Sequence, residues 1–156
     1  MSQRWRAGRR YAVRDIESIL RESGVIAVVG LSDRPERPSH AVAAYMQQKG
    51  YRVIPVNPLL TQPVLGETPY ADVTSVPEQV DVVDVFRRAE ETPGVVEQAI
   101  AAGASAVWLQ LGIVNEEAAA KVKAAGLDVV MDRCIKVEHQ TLESEGKLAG
   151  RRMPTE

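Results

Sequence analysis

Apolar residues fall along the chain in two alternating patterns. Short continuous runs are Val25–Gly30 (VIAVVG), Tyr51–Val56 (YRVIPV), Val82–Phe86 (VVDVF), Ser105–Leu109 (SAVWL) and Leu127–Asp132 (LDVVMD). Such runs suit parallel strands buried on both faces. Between them the apolar positions recur at helical spacing. Ile16, Ile19 and Leu20 mark a first helix closed by Gly24, and Val42, Tyr45 and Met46 mark one face of a second over Ser39–Lys49. Val96, Ala99 and Ile100 line a third helix, with Thr92 as its N-cap and Pro93 at its first position. Asn115 caps a fourth through Ala125, with Glu116 and Glu117 early and Lys121 and Lys123 late, as the helix dipole favours.

Alternation of strand and helix predicts an α/β fold, a doubly wound, Rossmann-like parallel sheet of about five strands. The expected strand order is 3-2-1-4-5. Pro55 removes a backbone donor, so the second strand should end there or lie where that donor is not needed. Residues 57–80, with Pro58, Pro63, Pro69 and Pro77, read as a long connection holding at most a short element. The domain is expected over residues 13–142, flanked by a basic arm at 1–12 and a mobile tail at 143–156.

Composition adds limits. One domain is expected from 156 residues. A chain of that size buries about 70% of its unfolded surface without a metal or disulfide. A net charge of −2 gives no pull toward nucleic acid or an anionic membrane. Cys134 is the single cysteine, which excludes an intramolecular disulfide and fits a reducing, cytoplasmic setting. The basic first residues lack an apolar stretch behind them, so no signal peptide is expected. No run approaches the ~20 apolar residues of a membrane span.

In doubly wound sheets ligands sit beyond the carboxyl ends of the strands, at the switch point. Gly30–Ser39 is the richest of the segments expected there. Gly30 allows a sharp exit from the strand and close approach of a ligand. Ser32 and Ser39 bring hydroxyls, Ser39 being placed as a helix N-cap. Arg34 and Arg37 add charge, and His40 follows in the first helical turn. The set suits a phosphate or diphosphate; the competing reading is a polar loop whose serine caps a helix. An NAD site needs a carboxylate at the end of the second strand, where this chain has Pro55-Val56-Asn57-Pro58. NADP would want a basic residue there, and none is adjacent.

Phe86 and Arg87, with Arg88, end the third strand. They suit either the flank of a ligand chain or a core ring followed by solvated arginines. Asp84, inside a strand that reads as buried, needs a hydrogen-bond partner. Gln110 and Gly112 are ligand-side candidates after the fourth strand, whereas Trp108 reads as core. Cys134 and His139 could form a nucleophile and base, but a structural cysteine accounts for the pattern as well. No nucleophile elbow, Walker loop, zinc-protease helix or paired zinc cysteines occur, so no catalytic or metal residue is assigned.

The ordered series Val28-Val29-Gly30-Leu31-Ser32, Arg37-Pro38-Ser39, Gly50–Pro58, Leu65-Gly66-Glu67, Val80–Arg87, Trp108–Gly112 and Val129–Cys134 resembles the small stand-alone CoA-binding proteins. These are similar to the N-terminal CoA-binding domain of the succinyl-CoA synthetase α subunit and of ADP-forming acyl-CoA synthetases. The resemblance spans about residues 13–140. It implies that coenzyme A is the ligand, with Gly30, Ser32, Arg37 and Ser39 around its phosphates; Leu31, Arg34 and His40 of the same loop and helix start complete the candidate site. It places Val56, Asn57 and Pro58 beside the adenosine, and Phe86 and Arg87 along the pantetheine arm. The phosphohistidine and nucleotide-grasp domains of those synthetases have no counterpart in this sequence. The resemblance therefore implies a non-catalytic module binding CoA or an acyl-CoA, acting as carrier or sensor, with no nucleic acid and no membrane as partner. The alternatives are an enzyme on CoA thioesters, an NAD(P)-binding redox protein, and a subunit completing a synthetase with a partner protein.

Overall fold

The structure, a computed structural model, describes residues 14–151. The expected basic arm at 1–12 and the last residues, 152–156, lie outside them. In chain order the elements are α1 (Ile16–Glu22), β1 (Val25–Val29), α2 (Pro38–Gln48), β2 (Arg52–Val56), β3 (Val82–Val85), α3 (Thr92–Ala101), β4 (Ala106–Leu109), α4 (Glu116–Ala124), β5 (Asp128–Met131) and α5 (Ile135–Ser144). The strands form one parallel sheet, as the apolar runs predict. Alternate strand residues feed two cores. Ile26, Val28, Val82 and Trp108 face α1, α2 and α5. Ala27, Val83, Val85, Val107 and Leu109 face α3 and α4.

The order of the strands corrects the expectation. It is β2-β1-β3-β4-β5, so β3 lies between β1 and β4 rather than outside β2. The switch point falls between β1 and β3. Pro55 explains why β2 is an edge. The Val56 carbonyl accepts from Gly30 on the β1 side, so Pro55, one residue earlier, turns its missing donor outward. A further strand there would lack a ladder bond. Instead Tyr70 closes that side, donating to the Pro55 carbonyl at 3.0 Å and accepting from the Asn57 N–H at 2.8 Å. The chain then crosses β1 through a short 3-10 turn, Val73–Ser75, whose Val73 enters the second core.

Helix starts also shift. Arg37, not Ser39, is the N-cap residue of α2, with Pro38 in its first turn. Glu91, not Thr92, precedes α3, and the Thr92 hydroxyl donates to the Ala89 carbonyl. Asn115 caps α4 as expected, accepting from the Ala118 N–H at 2.9 Å.

The largest correction concerns the C-terminal segment. Residues expected to form a mobile tail from 143 onward are packed as far as 151. Glu143 belongs to α5 and pairs with Lys49 at 2.8 Å. Leu148 is buried. The Arg151 guanidinium lies 3.6 Å from the Tyr51 ring centre and donates to the Leu20 and Ser23 carbonyls. Burial pushes the Tyr51 phenol up to about 12, so it stays a donor, and it reaches the Leu20 carbonyl at 2.7 Å.

Candidate functional site

At the switch point α2 leaves toward one face of the sheet and α3 toward the other, and the loops 30–37 and 86–91 meet between them. Gly30 makes that meeting possible. Its φ is +87°, and an added Cβ would collide with the Phe86 carbonyl oxygen and stand 3.1 Å from the Arg87 side chain. The glycine is thus required by the neighbouring strand, independently of any ligand.

The loop after Gly30 is pinned at both ends. Leu31 is fully buried, and its carbonyl accepts from Asn57 Nδ2 at 3.1 Å. The Ser32 N–H donates to Ser39 Oγ at 3.0 Å, and the Ser32 hydroxyl accepts from the Arg34 N–H at 3.1 Å. Ser39 therefore braces the loop from inside the first turn of α2 instead of capping it. Arg37 supplies no side-chain cap, and no acidic residue lies in that turn. The amide end of α2 keeps its positive potential.

The charged groups differ in their commitments. Arg34 pairs with Glu36 at 2.9 Å on the surface. Arg37 is exposed, and no ion pair to it occurs among the described residues. His40 is half-buried just behind. On the other side of the switch point Arg87 pairs with Glu91, which also meets Arg88 at 3.2 Å. Pairing holds the Glu91 carboxyl below the usual carboxylate range. Phe86 is half-buried and packs on the first core.

At the end of β2, Val56 is buried and Pro58 is exposed. Asn57 spends both ends of its amide on the fold, since Oδ1 accepts from the Leu59 N–H at 3.0 Å. Its side chain ties the β1 and β2 loops together. The structure thus gathers Gly30, Leu31, Ser32, Arg34, Arg37, Ser39, His40, Asn57, Pro58, Phe86 and Arg87 at the carboxyl ends of β1, β2 and β3. Leu31, Ser39, Val56 and Asn57 serve as scaffold by their side chains.

The expected ligand-side residues after β4 are scaffold too. Gln110 is buried and accepts from the Ile135 N–H at 3.2 Å, closing the start of α5. The Gly112 N–H donates to Asp132 Oδ1 at 2.7 Å. Trp108 is core, as expected, with its indole N–H on the Arg133 carbonyl. Cys134 is half-buried at the start of α5. His139 faces away into the fold: its Nδ1 lies 2.8 Å from the Tyr45 hydroxyl, and its ring meets Tyr45 and Tyr51 edge-on. Burial pushes this imidazole below its ordinary value.

Asp84 lacks the partner it was expected to need. It is buried between Val28 and Trp108, both carboxyl oxygens are without a hydrogen bond, and burial raises its pKa well above the carboxylate range. Burial thus favours the protonated form of this acid inside the sheet. Among the described residues there is no cluster of side chains that could hold a metal ion, and no helix is long and apolar enough to cross a membrane.

A doubly wound sheet with a braced glycine-serine loop at its switch point is a Rossmann-like frame, in which ligands bind beyond the carboxyl ends of the strands. The chain belongs to the CoA-binding domain family, whose pattern its residues 24–140 match. It is 47% identical over 125 residues to the uncharacterized protein YneT of Bacillus subtilis, covering 80% of this chain and 92% of YneT. It is similar to a solved hypothetical protein from Pyrococcus horikoshii, with 43% identity, TM-score 0.80, and 83% and 90% of the two chains covered. It shares its fold with a dinucleotide-forming acetyl-coenzyme A synthetase from Ca. Korarchaeum cryptofilum at 24% identity and TM-score 0.66. That match covers 76% of this chain and 27% of the synthetase.

Proposed function

We propose that the protein binds coenzyme A, or an acyl-CoA, as a non-catalytic carrier or sensor module in a cytoplasmic setting. The observation that carries this reading is the Gly30–Ser39 loop, within a chain of the CoA-binding domain family. Ser39 braces it, the amide end of α2 has no side-chain cap, and Arg37 stands exposed beside it without an ion pair among the described residues. A diphosphate fits that potential. Adenosine then lies by Pro58 and the Val56–Asn57 corner, and the pantetheine arm passes Phe86 and Arg87. The absence of a carboxylate at the β2 end favours a ribose whose 2′-hydroxyl is not gripped, as in CoA, over NAD.

Binding without turnover is supported by the commitments of the reactive side chains. His139 is held by Tyr45 and packed on Tyr51, so it is not poised as a base for Cys134. Calorimetric titration with CoA, 3′-dephospho-CoA and NAD tests the reading. CoA should bind saturably, dephospho-CoA more weakly, and NAD weakest. Failure of CoA to bind at millimolar concentration, or tighter binding of NAD, overturns it.

A further inference from the structure

Large apolar side chains that remain exposed are unevenly placed. Among the described residues they are Leu59, Leu111, Val114 and Val137. All four follow the carboxyl ends of strands or begin the helix after β5, on the side of the sheet where the proposed ligand lies. Two of them, Leu111 and Val137, 68% and 51% exposed, border one groove between the β4 and β5 ends. Met131 and Cys134 complete its apolar wall, and its space is about 420 Å³, within the range of small-ligand sites.

From β1, where the diphosphate is placed, β3 and β4 must be crossed to reach this groove. Two and a half strand spacings amount to about 12 Å. A pantetheine arm is comparable to three or four extended residues, about 10–14 Å. Its sulfur would therefore arrive at the groove's edge, and whatever the sulfur carries would enter it. Charge narrows the choice. The Arg133 guanidinium faces Glu138 at 3.5 Å, and the Asp132 carboxylate is taken by the Gly112 N–H. No unmatched cation awaits an acidic acyl group.

Resting on the CoA reading above, we propose that the β4–β5 groove is the acyl subsite and takes an uncharged aliphatic acyl group. The ligand is then an aliphatic acyl-CoA in preference to free CoA or a dicarboxylic acyl-CoA. Leu111, Met131, Cys134 and Val137 cover the chain, and two of the four apolar residues left in water, Leu111 and Val137, become buried.

Equilibrium titrations with CoA and with acetyl-, butyryl-, hexanoyl-, octanoyl- and succinyl-CoA test this. Affinity should rise about two- to fourfold per methylene until the groove is filled, and succinyl-CoA should bind no tighter than acetyl-CoA. In Val137→Asn and Leu111→Asn, both at exposed positions, the octanoyl-to-acetyl affinity ratio should fall toward one. CoA binding with no dependence on chain length, or a preference for succinyl-CoA, overturns the acyl subsite and leaves the CoA reading standing. Absence of binding by every compound, free CoA included, removes both.

Discussion

The carboxyl ends of β1–β3 and the bracket formed by α5 and the residues after it handle polar groups in opposite ways. In the bracket, side chains are matched. Lys49 meets Glu143, Tyr45 meets His139, and Arg151 stacks on Tyr51 while donating to two carbonyls of the α1 end. At the strand ends the inner groups are matched and the outer ones only in part: Arg34, Arg87 and Arg88 meet glutamates, while Arg37 has no ion pair among the described residues. Ser39 and Asn57 hold the loops, whereas the amide end of α2 carries no side-chain cap and Arg37 is exposed. Interactions left unmade on a well-braced loop are available to a ligand. In the bracket they have already been used to close the fold.

Substitutions should separate the two regions. The largest loss of stability is expected from Gly30→Ala, which combines a positive φ with a collision against the Phe86 carbonyl. We expect about 3 kcal/mol or more, measured by urea unfolding. Arg151→Ala removes a cation–π contact and two hydrogen bonds from the bracket. It should cost about 2 kcal/mol without altering CoA affinity; a matching loss of affinity would show the regions to be coupled.

Asp84→Val acts in the other direction, relieving an unpaired buried acid. A gain of about 1–3 kcal/mol at pH 7 is expected. Because the folded pKa of Asp84 is raised, the folded chain holds a proton that the unfolded chain has released above about pH 4. Its contribution is full below that pH and is lost as pH rises toward the folded value. Asp84→Asn should remove this slope from a plot of unfolding free energy against pH. His139 has the opposite sign. Its lowered pKa means that stability is kept above about pH 6.5 and lost as pH falls. Tyr45→Phe, which removes its partner, should cost about 1 kcal/mol. The smallest stability change belongs to Arg37→Ala, within about 0.5 kcal/mol. CoA affinity should nevertheless drop about tenfold, the worth of one charged contact.

Strands were legible because a strand buried on both faces leaves an unbroken apolar run. Their order was not, since hydrophobic period says nothing about which strand lies beside which. Pro55 held the only local hint, and using it required knowing which way its missing donor turns. Helix α5 is hard to read in the sequence for a different reason. Its inward positions include Ile135, His139 and Leu142, and a buried histidine interrupts the apolar pattern. At the site, the loop and its charges could be read from residue types. The scaffold duties of Asn57, Gln110 and Ser39 could not, because each depends on a backbone group brought from a distant part of the chain.

The most direct test of the comparison is amide hydrogen exchange with and without saturating CoA. Protection should rise over residues 30–41, 57–60 and 86–91, with no change across 139–151. Protection confined to the bracket, or none at the β1 loop while CoA is bound, would contradict the placement of the ligand.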